Sequence, residues 1–272
     1  MKSVQTGMLQ VPGARIYYEV RGSGPLLLVL QGADGDASGS VALVDQLVNH
    51  YTVVVYDRRG LSRSTYDEGA TPPGIHTHSD DVHCLLDALT TEPALVLGIS
   101  IGGLIGLELV ARYPYQVRTL LAHEPPAMAL LPDEERIPIE RFYEEVEETH
   151  RQKGLLAAMR LDMGMLRMDF SDREPDVVLP PPPPQRNDNL EVFRKYDSPA
   201  SQVFKPDIEA LRRTTTRIIF AAGERSRGIW PFRTTEVLAG LLGKEILEFP
   251  GGHNGPVLHP RAVASRLRDV LV

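Results

Sequence analysis

The sequence predicts an α/β protein whose parallel sheet carries helices on both faces, and three observations lead there. Short, uniformly apolar runs such as Leu26 to Leu30 and Ala94 to Ile99 read as central strands covered on both sides. Stretches with apolar residues at helical spacing alternate with them. Repeated strand, helix, strand order requires crossover connections, and these give a parallel sheet. A length of 272 residues fits one large domain carrying an insertion, and 42% hydrophobic with 24% charged residues supplies a sizeable core and excludes wholesale disorder.

Taken in order, Ala14 to Val20 carries Ile16, Tyr17, Tyr18 and Val20 and closes on the turn Gly22-Ser23-Gly24-Pro25, a strand signal. Val41, Leu43, Val44, Leu47 and Val48 fall at helical spacing before the strand Val53-Val54-Val55. Ser79 followed by Asp80 and Asp81 marks a helix start, with Val82, Leu85, Leu86 and Leu89 on one face. Ala94 to Ile99 is a strand, Ile101 to Tyr113 a helix stopped by Pro114, and Val117 to Ala122 a further strand. From about 127 to 200 the strand signals vanish. That stretch holds an acidic helical run, Asp133 to Thr149, a Met-rich helical run, Gly154 to Met168, and the block Pro180 to Pro184, which suits a stiff polyproline return. Residues 1–126 and 201–272 therefore read as the core domain and 127–200 as a helical cap. Strands resume at Thr216 to Ala222 and Glu245 to Phe249, and a helix spans Pro260 to Leu271.

Several function classes drop out. The net charge is −7 and the basic residues are scattered, which argues against a nucleic-acid partner. No apolar run approaches the roughly 20 residues needed to cross a bilayer. Met1 to Val11 lacks the basic start and apolar block of a secretion signal, so a cytoplasmic location is expected. Cys84 is the single cysteine, which excludes an internal disulfide and a Cys-based metal site and leaves it as a small buried helix residue. The oligomeric state stays open, a homodimer included.

Chemistry concentrates at Gly98-Ile99-Ser100-Ile101-Gly102, which follows a buried strand and opens a helix, the context of a nucleophile elbow. The Ser is held in a strained turn, and side chains at the flanking glycine positions would collide with neighbouring elements. Three more segments accompany the motif: Gln31-Gly32-Ala33, Asp57-Arg58-Arg59-Gly60-Leu61-Ser62-Arg63-Ser64, and Pro250-Gly251-Gly252-His253.

On these residues the chain resembles an α/β-hydrolase over nearly its whole length, which implies a mostly parallel eight-stranded sheet. The resemblance also implies nucleophile, acid and base in that chain order, with Ser100 as nucleophile and His253, on the loop after the last strand, as base. His76, His78 and His259 read as loop or turn residues. The family's usual acid, an Asp in a Gly-x-x-Asp arrangement, is missing: Gly223-Glu224-Arg225-Ser226 puts Ser226 there. Two carboxylates can substitute, Glu224 on that loop or Glu124 in His123-Glu124-Pro125-Pro126, and a Ser–His dyad without an acid is the remaining alternative. Glu124 is preferred, because it sits at the C-terminal end of a strand, where catalytic groups of open sheets collect. A subset of the family, including lactonases that open zearalenone, resembles this arrangement.

Two N–H donors are expected to receive the oxyanion, one from Ile101 and one from the Gly32-Ala33 backbone, in a loop that begins with Gln31 where the family commonly has His. Asp34 and Asp36 in that loop either face the mouth or cap a helix starting near Ser38. Five of the seven methionines, Met128, Met159, Met163, Met165 and Met168, lie in the insertion. They suit a bulky apolar ligand, or pack the lid on itself. Met128, Met159, Met163 and Trp230 are the expected substrate contacts. The leading expectation is a serine hydrolase of a carboxylic ester or lactone of a fairly apolar small molecule, acting through an acyl-enzyme without cofactor or metal. Carbon–carbon bond hydrolysis and perhydrolysis on the same residues are alternatives, as is a small-molecule receptor on the same fold. Asp-nucleophile chemistries are disfavoured because position 100 is Ser.

Overall fold

The computed structural model describes residues 4–33, 35–70, 72–179 and 181–271, so Asp34 and Pro180 lie outside the described residues. The chain begins with two antiparallel strands, β1 (Gln5–Val11) and β2 (Ala14–Gly22), joined by a turn at Pro12-Gly13 and paired from Gln5 against Val20 to Val11 against Ala14. β1 escapes sequence patterning because it is an edge strand that buries fully only Val11. β3 (Leu26–Leu30), α1 (Val41–Leu47), β4 (Thr52–Tyr56) and the two-residue β5 (Thr65–Tyr66) follow. Next come α2 (Ile75–Leu89), β6 (Ala94–Ile99), α3 (Ile101–Arg112) and β7 (Val117–His123).

Over the C-terminal edge of the sheet lie α4 (Asp133–Lys153), α5 (Leu155–Met165), α6 (Arg186–Val192), a π-helical stretch Phe193–Asp197 and α7 (Ser198–Val203). α8 (Ile208–Arg213) leads back to β8 (Arg217–Gly223), and α9 (Trp230–Leu241), β9 (Ile246–Phe249), α10 (Gly255–Leu258) and α11 (Pro260–Val270) complete the chain.

The sheet runs β1-β2-β4-β3-β6-β7-β8-β9 and is parallel from β4 to β9. β5 pairs with β2 off this path, so the described sheet has nine strands where eight were expected. Two residues are too few to show a period-2 pattern, which is why β5 is invisible in the sequence. Alternate residues of the central strands feed opposite faces, as the strand's two-residue period requires. Leu28 and Leu30 pack under α2, α3, α8 and α9, while Leu27 and Val29 pack under α1 and α11. All four are 0% exposed, and truncating any of them to Ala would cost about 2–5 kcal/mol.

Two sequence expectations need correction. α2 starts at Ile75 behind Gly74, not at Ser79, so His76 and His78 are helical and not loop residues. Ser79 and Asp81 are buried inside the helix, and Asp81 pairs with Arg59 at 2.6 Å; the acidic pair serves tertiary contacts and not the first turn. In addition, α7 crosses residue 200, so the helical stretch runs past the expected boundary. Among the described residues no helix is long and apolar enough to cross a membrane.

Candidate active site

The strand order reverses at β3, whose neighbours are β4 on one side and β6 on the other, so the loops that follow β3 and β6 diverge and open a crevice. Ser100 follows β6 at that crevice. Ile99 pairs with His123 across β6 and β7, which puts Ser100 and Glu124 at the same level on adjacent strands. The ladder continues as Ser100 N–H donates to His123 O at 2.8 Å and Glu124 N–H to Ala221 O at 3.0 Å. Ser100 has φ 53° and ψ −121°, a left-handed backbone outside its ordinary range. The flanking glycines permit that turn. A Cβ on Gly98 would lie 2.6 Å from Gly102 O, and one on Gly102 would fall on the carbonyl of Leu30.

Glu124 is also left-handed, with φ 48°, and is 0% exposed. Its Oε1 accepts from Gly223 N–H at 2.8 Å and its Oε2 meets His253 Nδ1 at 2.5 Å, so both carboxylate oxygens are engaged. Burial alone would raise its pKa, but the hydrogen bond and charge of His253, then the charge of His123, hold it down to about 2. Of the two candidate carboxylates, Glu124 contacts His253. Glu224 is exposed, its N–H tied to Phe249 O at 2.9 Å. Ser226, at the position of the family's usual acid, is buried at 1% exposure, packs beside Gly252 and helps hold the Glu124 carboxyl down through its hydroxyl. Behind the pair lies His123, 1% exposed with neither ring nitrogen bonded; burial, reinforced by His253, pushes it down to about 4 against the pull of Glu124, so it is neutral at pH 7.

Ser100 and His253 line the same cavity, yet no hydrogen bond joins their side chains among the described residues. Catalytic pairs are often this loose without substrate and tighten in the complex. Gly32 lies beside the candidate nucleophile, since a Cβ built on it would sit 3.8 Å from the Ser100 Cβ. Ile101 opens α3, and the first N–H of a helix has no intrahelical partner. Gly32, Ala33 and Ile101 all line the cavity. Asp36 is 2% exposed and caps the short turn Ala37–Ser40 through Ser38 N–H at 2.8 Å, so the capping alternative describes it.

The cavity holds about 250 Å³, and the insertion supplies much of its wall through Met159, Met163, Leu166, Met168 and Phe170, with Trp230 from α9. Met128 is the exception among the expected contacts. It is 1% exposed and packs with Leu131 and Ile139 where the insertion meets α9, because the short turn after Pro125-Pro126 tucks it beneath the cavity wall. Several polar groups interrupt the apolar wall, Asp162, Ser198, Ser201 and Gln202 among them. Asp162 accepts from Arg194 Nη1 at 2.9 Å through one oxygen, while the other is buried and unpaired. Burial outweighs Arg194 and pushes its carboxyl up to about 6. Among the described residues no group of three His, Cys, Asp or Glu side chains is arranged to hold a metal ion.

Sequence patterning missed the buried cluster of Arg58, Asp197 and His78 behind the Gln31–Ala33 loop. Arg58 stood inside a recognised motif, but its partner lies 139 residues away, a separation that no local pattern reports.

An elbow serine on a switch-point crevice of a largely parallel sheet defines an α/β enzyme class, and sequence comparison identifies it. A family model described as the alpha/beta hydrolase fold matches residues 25–260. The chain is 37% identical over 273 aligned residues to the uncharacterized hydrolase YraK of Bacillus subtilis (strain 168), covering 99% of this chain and 97% of that one. The enol-lactonase from Burkholderia xenovorans LB400 has a similar fold, with TM-score 0.72 and 21% identity over 97% of this chain and 99% of its own. Est816, an N-acyl homoserine lactone degrading enzyme, is similar at TM-score 0.68 and 22% identity over 97% and 100%. The chain belongs to the α/β-hydrolase family.

Proposed function

We propose that this α/β-hydrolase cleaves a carboxylic ester or lactone of a fairly apolar small molecule through an acyl-enzyme on Ser100. The observation that carries the reading is the 2.5 Å contact between Glu124 and His253 Nδ1, beside a strained elbow serine on the same cavity. With Nδ1–H directed at Glu124, the His253 Nε2 is free to take the Ser100 proton during attack on the carbonyl. The tetrahedral oxyanion is received by the N–H of Ile101 and those of Gly32 and Ala33. His253 then returns the proton to the leaving alkoxide, which in a lactone stays tethered as a hydroxyl. Water, activated by the same imidazole, releases the acid. Glu124 keeps its charge throughout and stabilises the imidazolium.

Residues 127–200 act as a cap that fits the substrate, a role supported by the apolar insertion side chains on the cavity wall, Met159, Met163 and Phe170 among them. The Glu acid at the end of β7, with Ser226 at the customary acid position, supports membership of the subset that resembles the zearalenone lactonases. Two fold neighbours, an enol-lactonase and an N-acyl homoserine lactone degrading enzyme, agree with a cyclic ester. The test is turnover of p-nitrophenyl butyrate and of a panel of small and macrocyclic lactones by the purified protein. Ser100→Ala should abolish hydrolysis while leaving the circular dichroism spectrum unchanged. Wild-type and Ser100→Ala proteins that are equally inactive on every ester and lactone would refute it.

A further inference from the structure

We infer that Asp197, supplied by the helical insertion, is a positioning residue for the oxyanion loop and acts on it through Arg58. The inference rests on the proposed role of the Gly32 and Ala33 amides. One guanidinium holds three successive carbonyls: Arg58 Nη1 donates to Gln31 O at 3.0 Å and to Gly32 O at 2.5 Å, and Nη2 donates to Ala33 O at 3.0 Å. In a planar trans peptide the C=O of one residue and the N–H of the next point in opposite directions. Fixing the carbonyls of Gln31 and Gly32 therefore fixes the N–H groups of Gly32 and Ala33, the two amides that face away from Arg58. The planar fork of Arg is suited to this, whereas an ammonium is a point donor.

Arg58 is 1% exposed, and its charge is met by Asp197 Oδ2, which accepts from Nε at 3.2 Å and from Nη2 at 3.0 Å. The other oxygen, Asp197 Oδ1, meets His78 Nε2 at 2.8 Å, with both residues 1% exposed. Burial would raise the Asp197 pKa, but the charges of His78 and Arg58 and their hydrogen bonds hold it down to about 2, so the carboxylate is ionised. Removing it leaves a buried, uncompensated guanidinium, which must find water or another acceptor and release the carbonyls. A second tie holds the far end of the same loop. Asn189 of α6 accepts from Ser62 N–H at 2.8 Å and donates to Asp36 Oδ2 at 3.2 Å. The insertion segment 186–197 thus grips the loop at both ends, and its docking sets the geometry of the amides beside Ser100.

The experiment compares full-length wild type with Asp197→Asn, which keeps the shape and removes the charge. Hydrogen exchange followed by mass spectrometry reads the loop directly. Peptides covering residues 31–37 should exchange at least about tenfold faster in the variant, with peptides from β6 and β7 unchanged. Kinetics on p-nitrophenyl butyrate should then give a kcat about 10- to 100-fold lower with KM within threefold, the signature of a lost transition-state contact. A trifluoromethyl ketone, which presents an oxyanion once added to the serine, should weaken by the same factor. Unchanged exchange at residues 31–37 overturns the inference whether or not the protein hydrolyses esters. Loss of wild-type turnover bears only on the proposed function. If Asp197→Asn does not fold, native-state exchange of the wild type in low urea decides: residues 31–37 and 186–197 should open with one urea dependence, and separate dependences overturn the coupling.

Discussion

Replacing Glu124 by Gln keeps the side-chain shape and removes one buried negative charge at the proposed acid. The Gln carbonyl can still accept from Gly223 N–H, which holds Glu124 Oε1 at 2.8 Å. Its amide then faces His253 Nδ1, which must accept, and the ring proton moves to Nε2, where it blocks proton transfer from Ser100. A carboxyl held near 2 instead of its ordinary 4.5 corresponds to a preference of roughly 3 kcal/mol for the ionised form beside His253. Loss of a triad acid lowers kcat by roughly 10³ to 10⁴, or about 4–5.5 kcal/mol of barrier, and the wrong His253 tautomer is the cause expected here.

Stability follows the same carboxylate. A folded pKa below the unfolded one stabilises the fold at pH above about 4.5, and that contribution is lost as pH falls toward 2. Glu124→Gln should therefore melt earlier than wild type at pH 7, with the gap narrowing below pH 4.5. The assay is kcat on p-nitrophenyl butyrate, with circular dichroism at the assay temperature to show that the variant is folded. Glu224→Gln should stay within about tenfold of wild type, because that carboxylate is exposed and solvent screens it. A folded Glu124→Gln within tenfold of wild type, or a crippled Glu224→Gln, would refute the reasoning.

A fluorophosphonate should label Ser100 alone, and peptide mass spectrometry that finds another serine modified with residues 98–102 clean would remove the elbow assignment. Gly102→Ala should destabilise the protein by several kcal/mol, because the added methyl falls on the carbonyl of Leu30, and urea titration would read it; a loss under about 1 kcal/mol would contradict the packing. Asp162→Asn should gain stability relative to wild type as pH rises through 6, since a carboxyl whose folded pKa is near 6 opposes folding when ionised. That gain should fade as pH falls from 6 to 4 and vanish below, and a melting-temperature series across pH checks the sign.

By itself the sequence determined the sheet, because continuous apolar runs such as Leu26 to Leu30 can be satisfied only between two layers of helices. It also carried the elbow, since glycines two positions either side of Ser100 record a steric demand that is local in the chain. Edge and miniature strands were not legible: β1 is mostly exposed and β5 spans two residues, so neither writes a burial pattern. Two candidate carboxylates stood open in the sequence, and only the fold decided which of them touches His253. The register of β6 on β7 and of β8 on β9 brings Glu124 to the imidazole and turns Glu224 to solvent. Met128 went astray for a related reason, as apolar character suits a cavity wall and a core alike and only packing separates them. The Arg58–Asp197–His78 cluster joins residues up to 139 positions apart. A buried charge must find its partner in space, and chain distance places no limit on where that partner comes from.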